Sequence, residues 1–179
     1  GQVLEPHGAP ECISNAAEMI GWGADLPEDE AMGIAIGWWP SFGSSSGAYI
    51  KFNGDGSATI ITGAQECGSG AVMALPRLAA DQLGMKAEDF SIVYQDTETG
   101  PWDMGASGSQ TTFNNGRAVV AAAQEVRDQL LDMAAEKLEA EKGDLELVDG
   151  RVQVKGSPDK HVTIEELAEE ASEIGRAHV

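Results

Sequence analysis

Basic residues are scarce in this chain. Against 30 aspartates and glutamates it carries 11 lysines and arginines, a formal net charge of −19 over 179 residues. A field of that sign repels DNA, RNA and anionic membranes, and no basic stripe offsets it, so nucleic-acid and membrane partners are set aside. Cysteine is rare too, with Cys12 and Cys67 alone. Neither lies in a CxxC pair, and no His/Cys spacing suits zinc. A disulfide framework is not expected, and a reducing cytoplasm is the default compartment. No apolar run reaches the roughly 20 residues of a bilayer-spanning helix, and no basic-then-apolar leader opens the chain. It starts at Gly1 without Met, as a processed or excised piece would. His7, His161 and His178 stand in polar or terminal surroundings and read as surface residues.

What is present is enough for one packed domain, or a domain with an appendage, since 42% of the residues are hydrophobic. A first helix fits "PECISNAAEMIG", with Pro10 at its start, Ile13, Ala16, Ala17 and Ile20 on one face, and Gly21 ending it. "GADLPEDEAM" reads as an acidic linker, and the apolar "GIAIGWW" as a strand stopped by Pro40. Residues 1–32 are therefore expected to be a helix and linker, with the main domain at 33–179. "AYIKF" and "SATIITG" form a hairpin across "NGDG", with Ala48, Ile50 and Phe52 on one face. Val72, Leu75, Ala79 and Leu83 mark a helix ended by Gly84, which Pro76 should kink or start later.

"FSIVYQD" is a strand, and Val119, Val126, Leu130, Ala134 and Leu138 trace the longest helix, ended by Gly143. "LELVDGRVQV" is a second hairpin on an Asp149-Gly150 type I′ turn, pairing Leu145 with Val154 and Leu147 with Val152. A last helix starts with a Thr163/Glu166 capping box and carries Ile164, Leu167, Ala171 and Ile174 on its apolar side. The acidic runs "LEAEKGDLELVDG" and "TIEELAEEASEIG" read as solvated faces. The order hairpin, helix, strand, helix, hairpin, helix predicts an α+β fold with mixed α/β layers.

Two glycine-rich segments each follow a strand and lead into a helix: "TGAQECGSGAV" and "WDMGASGSQTT". The first amides of a helix lack partners and carry partial positive charge. Glycines let a ligand approach the backbone, and hydroxyls add donors, so such a turn can cradle a phosphate or a polar ring edge. One such turn alone is more often structural, with Ser107 or Ser109 serving as a helix cap. Neither segment is a P-loop or a dinucleotide fingerprint. Among their neighbours, Cys67 reads as a small buried filler, and Met104 and Phe113 as packing residues. Trp38, Trp39 and Trp102 read as core or interface aromatics, and Gly116 as a point of close backbone packing.

"DGSATIITGAQECGSGAVMALPRLAADQLGM" followed by "DTETGPWDMGASGSQTTFNNGRAVVAAAQEVRDQLL" resembles the molybdopterin-binding domain of the xanthine dehydrogenase and aldehyde oxidase family. The resemblance runs from about Gly33 to the last helix. It implies that Gly68, Ser69 and Gly70 meet the pterin and its phosphate, with Ser69 where the family has glutamine and Glu66 preceding them. It implies that Ala106, Ser107, Gly108, Ser109, Gln110 and Thr111 hold the phosphate end, Ser109 and Thr111 matching hydroxyl positions of the family. The implied cofactor is molybdopterin, in its plain or dinucleotide form, with molybdenum held by the pterin and by no protein side chain. The implied partners are the rest of a large subunit and subunits or domains that carry iron–sulfur clusters and FAD.

The implied reaction is hydroxylation of an aldehyde or N-heterocycle with water, with purines and carbon monoxide also open as substrates. The family's glutamate base, in a glycine-flanked motif, has no match here, and the chain stops at "EIGRAHV". The expectation is a fragment, or half of a split large subunit, without hydroxylase activity alone. Two rivals remain open: a cofactor-free module that docks with the other half, and an unrelated phosphate-ligand protein.

Overall fold

The computed structural model describes residues 7–37, 39, 43–94 and 97–173. The chain forms two compact units, Gly1–Pro40 and Ser41–Val179.

In the first unit, α1 (Ala9–Ile20) has Pro10 in its first turn and is closed by Gly21, left-handed at φ 69°. None of its residues is buried, and Ile13 and Ile20 are exposed. The strand expected at "GIAIGWW" is not there: residues 33–37 and 39 form no strand, while Trp38 and Pro40 fall outside the described residues. An apolar run supplies no hydrogen-bonding neighbour, and a lone strand leaves its N–H and C=O groups unpaired.

The second unit opens with the foreseen hairpin. β1 (Ala48–Phe52) and β2 (Ala58–Thr62) run antiparallel, from Ala48 opposite Thr62 to Phe52 opposite Ala58. Gly56, at φ 79°, and Asp55, whose carboxylate accepts from the Ser57 N–H and hydroxyl, shape the turn. α2 (Ala71–Leu83) crosses over to β3 (Phe90–Tyr94), which lies parallel to β2, giving the order β1-β2-β3. Gln95 and Asp96, read as the end of that strand, lie outside the described residues. Pro76 stands inside α2, so the helix does not start later. The missing N–H is offset by burial of Leu75, Ala79, Ala80 and Leu83 in the core that α2 shares with the next helix.

That helix, α3 (Thr111–Leu138), has 28 residues, roughly 42 Å at the standard rise per residue. Val119, Leu130, Ala134 and Leu138 are buried along it and Val126 is half-buried. It ends before Gly143: Glu139 takes the left-handed conformation, and its N–H donates to the carbonyls of Ala135 and Glu136. Lys142 then pairs with Asp132 at 2.9 Å and Asp128 at 3.7 Å, holding the following turn back along the helix.

β4 (Leu145–Val148) and β5 (Arg151–Val154) pair in the expected register, Leu145 with Val154 and Leu147 with Val152. Asp149 at φ 50° and Gly150 at φ 72° make the type I′ turn. β6 (Ser157–Thr163) joins β5 and was not foreseen. The capping box is present: the Thr163 N–H donates to Glu166, and the Glu166 N–H donates back to the Thr163 hydroxyl. It starts α4 (Ile164–Glu173), which buries Ile164, Leu167 and Ala168. Two three-stranded sheets packed on helices around one core make this an α+β fold. The C-terminal ends of parallel β2 and β3 face the two glycine-rich turns, where open sheets usually receive ligands.

Candidate functional site

The first turn runs from β2 into α2, and its residues Gln65 to Gly70 are exposed. Gly68 at φ 95° and Gly70 at φ 73° turn their amides towards Glu66. One carboxylate oxygen of Glu66 accepts from the Gly68 N–H at 2.6 Å and the Gly70 N–H at 3.0 Å. The other accepts from the Val72 N–H at 3.4 Å. Those bonds, Gly70's above all, hold the Glu66 carboxyl below its ordinary pKa, outweighing an opposite effect of lost water. The amides of Gly68 and Gly70 are thus already engaged by the chain's own anion. Ser69 Oγ accepts a long bond from the Ala71 N–H at 3.4 Å. Cys67 is exposed, correcting the reading of it as buried filler: it lies within the exposed run Gln65 to Gly70.

The second turn differs. Gly108 at φ 56° and Ser109 at φ 58° are consecutive left-handed residues just before α3. Ala106, Ser107 and Ser109 are exposed, whereas Gly108, Gln110 and Thr111 are buried. Gln110 occupies the N-cap position in place of Ser107 or Ser109, and makes no side-chain cap. Its amide group turns inward, donating to the Gly105 carbonyl at 3.0 Å, and its backbone N–H donates to the Ser107 carbonyl at 3.2 Å. Asn114 lies between Gln110, 2.9 Å away, and the backbone of Ser44, with which its alternate amide orientation pairs. Thr111, Thr112 and Phe113 precede the first helical bond, from the Asn114 N–H to the Gln110 carbonyl. Among the described residues no side chain caps the start of α3, whereas the start of α2 is filled by Glu66.

A buried polar network joins the bases of the two turns. Thr62, the last residue of β2, donates to Asn115 Oδ1 at 3.0 Å, and Asn115 Nδ2 donates to Asp103 Oδ2 at 2.8 Å. The same oxygen accepts from the Ser46 hydroxyl at 2.8 Å, and Asp103 Oδ1 accepts from the Gly105 N–H at 2.7 Å. Gly63 lets the strands of chain meet: a Cβ there would stand 2.6 Å from the Pro101 carbonyl and 2.7 Å from Asp103 Cβ. Sequence reasoning missed Ser46, Thr62, Asp103 and Asn115. The available signal was Asn114-Asn115 inside an alanine-rich helical stripe, polar residues at positions that face inward.

A polar cleft of about 350 Å³ lies beside the first turns of α3, lined by Ser44, Ser45, Ser46, Asn114, Arg117 and Ala118. Arg117 sits 5.6 Å over the Phe113 ring. Met104 and Phe113 are 54% and 52% exposed, so neither is the packing residue expected. Trp102, also close in sequence to the second turn, is 68% exposed. A larger cleft of about 600 Å³ lies at the other end of α2, but Asp81, Asp89 and Asp149 on its rim outnumber Lys86 and disfavour an anion.

These features define an α+β domain with two glycine-rich loops that follow parallel strands and lead into helices. The chain belongs to the molybdopterin cofactor-binding domain family, whose sequence model matches residues 17–178. It is 35% identical to the carbon monoxide dehydrogenase large chain of Afipia carboxidovorans over 121 residues, 68% of this chain and 15% of that protein. It is 30% identical to the nicotine 6-hydroxylase large subunit of Paenarthrobacter nicotinovorans, over 94% of this chain and 23% of the relative. The crystal structure of quinoline 2-oxidoreductase from Pseudomonas putida 86 matches with a TM-score of 0.65 and 28% identity, over 75% of this chain and 17% of that one. The chain thus spans less than a quarter of the length of each of these relatives.

Proposed function

We propose that this chain is the cofactor-binding portion of a molybdenum hydroxylase large subunit that hydroxylates an aldehyde or N-heterocycle with water. Residues 33–179 carry the cofactor-binding domain and residues 1–32 lead into it. Ser107, Gly108, Ser109 and Thr111 hold the anionic end of the molybdopterin. Ala106 and Gln110 shape that turn, and Gly68, Ser69 and Gly70 line the pterin edge. The single observation that carries the reading is the uncapped start of α3, with two left-handed residues and exposed Ser107 and Ser109 in front of it. That donor set suits phosphate, and on an acidic chain neutral amides and hydroxyls are the natural ligands. The bound pterin supplies the molybdenum and its redox chemistry; this chain binds and orients it.

No residue here is assigned as the base, which lies elsewhere in the large subunit, so the chain by itself is inactive. Iron–sulfur and FAD-bearing subunits or domains complete the electron path. The two cysteines are free and exposed, which suits the reducing cytoplasm. Among the described residues no helix is long and apolar enough to cross a membrane.

Ser109→Asp in the assembled enzyme tests the assignment. Aspartate tolerates a left-handed backbone, so the turn keeps its shape while a negative charge faces the phosphate. Molybdenum content by mass spectrometry, with pterin fluorescence after oxidation, should fall about tenfold, the effect of about 1.4 kcal/mol. Full occupancy contradicts the assignment.

A second reading, a cofactor-free docking module, is favoured by the exposure of Trp102, Met104 and Phe113 beside the turn. A wild-type complex that assembles without molybdenum or pterin would select it.

A further inference from the structure

We propose that Glu66 is a positioning residue that fills the amide nest at the start of α2 with the chain's own carboxylate. The first turn then meets the cofactor with its backbone donors already satisfied, and the anionic group falls to the second turn. The assignment of the anionic group rests on the cofactor reading above; the role of Glu66 at its own turn does not.

Glu66 stands four residues before Gly70, the residue that caps α2. An alanine there would leave the exposed backbone of 66–70 with nothing to gather it. Both carboxylate oxygens are used: Oε1 takes the Gly68 and Gly70 N–H groups at 2.6 and 3.0 Å, and Oε2 takes that of Val72 at 3.4 Å. The left-handed φ of both glycines aims those amides at one point, the arrangement that elsewhere binds a free anion. Here a side chain holds that point. A phosphate arriving at it would meet a fixed negative charge and would have to displace charge-assisted bonds.

The contrast with α3 is direct, because its N-cap residue, Gln110, turns its side chain away to Gly105 and leaves the helix start without a cap. Both turns hold a carboxylate of the chain, Asp103 on the Gly105 N–H in the second, but only in the first does it reach the helix start. The start of α2 is closed by its own anion, and that of α3 is left for a guest.

The test uses the 179-residue chain, followed by amide NMR with hydrogen exchange and titration with inorganic phosphate at constant ionic strength. In the wild type, Gly68 and Gly70 should be protected from exchange, and phosphate should not move them. In Glu66→Ala their protection should drop about tenfold, as expected for lost charge-assisted bonds. Both amides should then shift saturably with phosphate, while the Ile60 and Leu75 amides keep their protection and report an intact fold. Glu66→Gln, which keeps an acceptor oxygen without the charge, should retain part of the protection.

Unchanged protection in Glu66→Ala, or phosphate shifts at Gly68 and Gly70 of the wild type, would overturn the role. If the Ala variant fails to fold, wild-type protection retained in full by Glu66→Gln would overturn it equally. Loss of protection at the first turn, with no phosphate shift anywhere at 107–112 of the wild type, would support the role of Glu66 and count against the cofactor reading.

Discussion

Asn115 is 1% exposed, and both ends of its amide are used, one by Thr62 and one by Asp103. It is the strut between the last residue of β2 and the second turn. Replacing it with leucine keeps the branching at Cγ but strands the buried Thr62 hydroxyl and removes one of the three donors to the Asp103 carboxylate. Such stranded groups cost about 1–3 kcal/mol each, so Asn115→Leu should lower the urea-unfolding free energy by about 2 kcal/mol or more. Adding Thr62→Val should recover part of the loss, since the stranded hydroxyl goes with it. A neutral Asn115→Leu would mean that the network does not hold the turns. At this scale the sequence was least legible. Glu66, Asp103 and Asn115 make bonds whose partners lie 2 to 57 positions away; periodicity marks Asn115 as facing inward but names none of these partners.

At the scale of elements, local signals read well and non-local ones did not. The Asp149-Gly150 hairpin and the Thr163/Glu166 capping box are written in neighbouring residues, and both are found. β6 was invisible because "SPDKHVT" is exposed at its first five positions and shows no alternation; β5 defines it by pairing. Gly143 attracted the end of α3 by composition, yet the end comes at Glu139, where the chain turns back to the second sheet.

Gly84 closes α2 at φ 58°, and a Cβ there would meet the Leu147 carbonyl at 2.6 Å, across the contact where the Gly150 N–H donates to the Gly84 carbonyl. Gly84→Ala should cost about 2 kcal/mol or more, combining a strained left-handed backbone with a backbone clash. Gly143→Ala, with open space around its Cβ, should stay within about 0.5 kcal/mol of wild type in the same thermal melts. The reverse ranking would show that the second sheet does not dock on α2 through Gly84.

For the whole molecule, the family, the α+β class and the cofactor class all follow from motif order over most of the chain; the family match runs over 17–178, starting ahead of the Gly33 at which the resemblance was read. The arrangement explains how a chain with a net charge of −19 can serve an anionic cofactor. On the proposed reading the donors are backbone and hydroxyl groups at the start of α3, with Arg117 in the cleft beside it, while Glu66 closes the start of α2.

The most direct measurement is a structure of the assembled large subunit with its cofactor bound. The account predicts a phosphate oxygen within about 3 Å of an amide or hydroxyl of Ser107, Ser109 or Thr111, with Glu66 still on the Gly68 and Gly70 amides. A phosphate seated on the first turn, or a cofactor that touches neither turn, would contradict it.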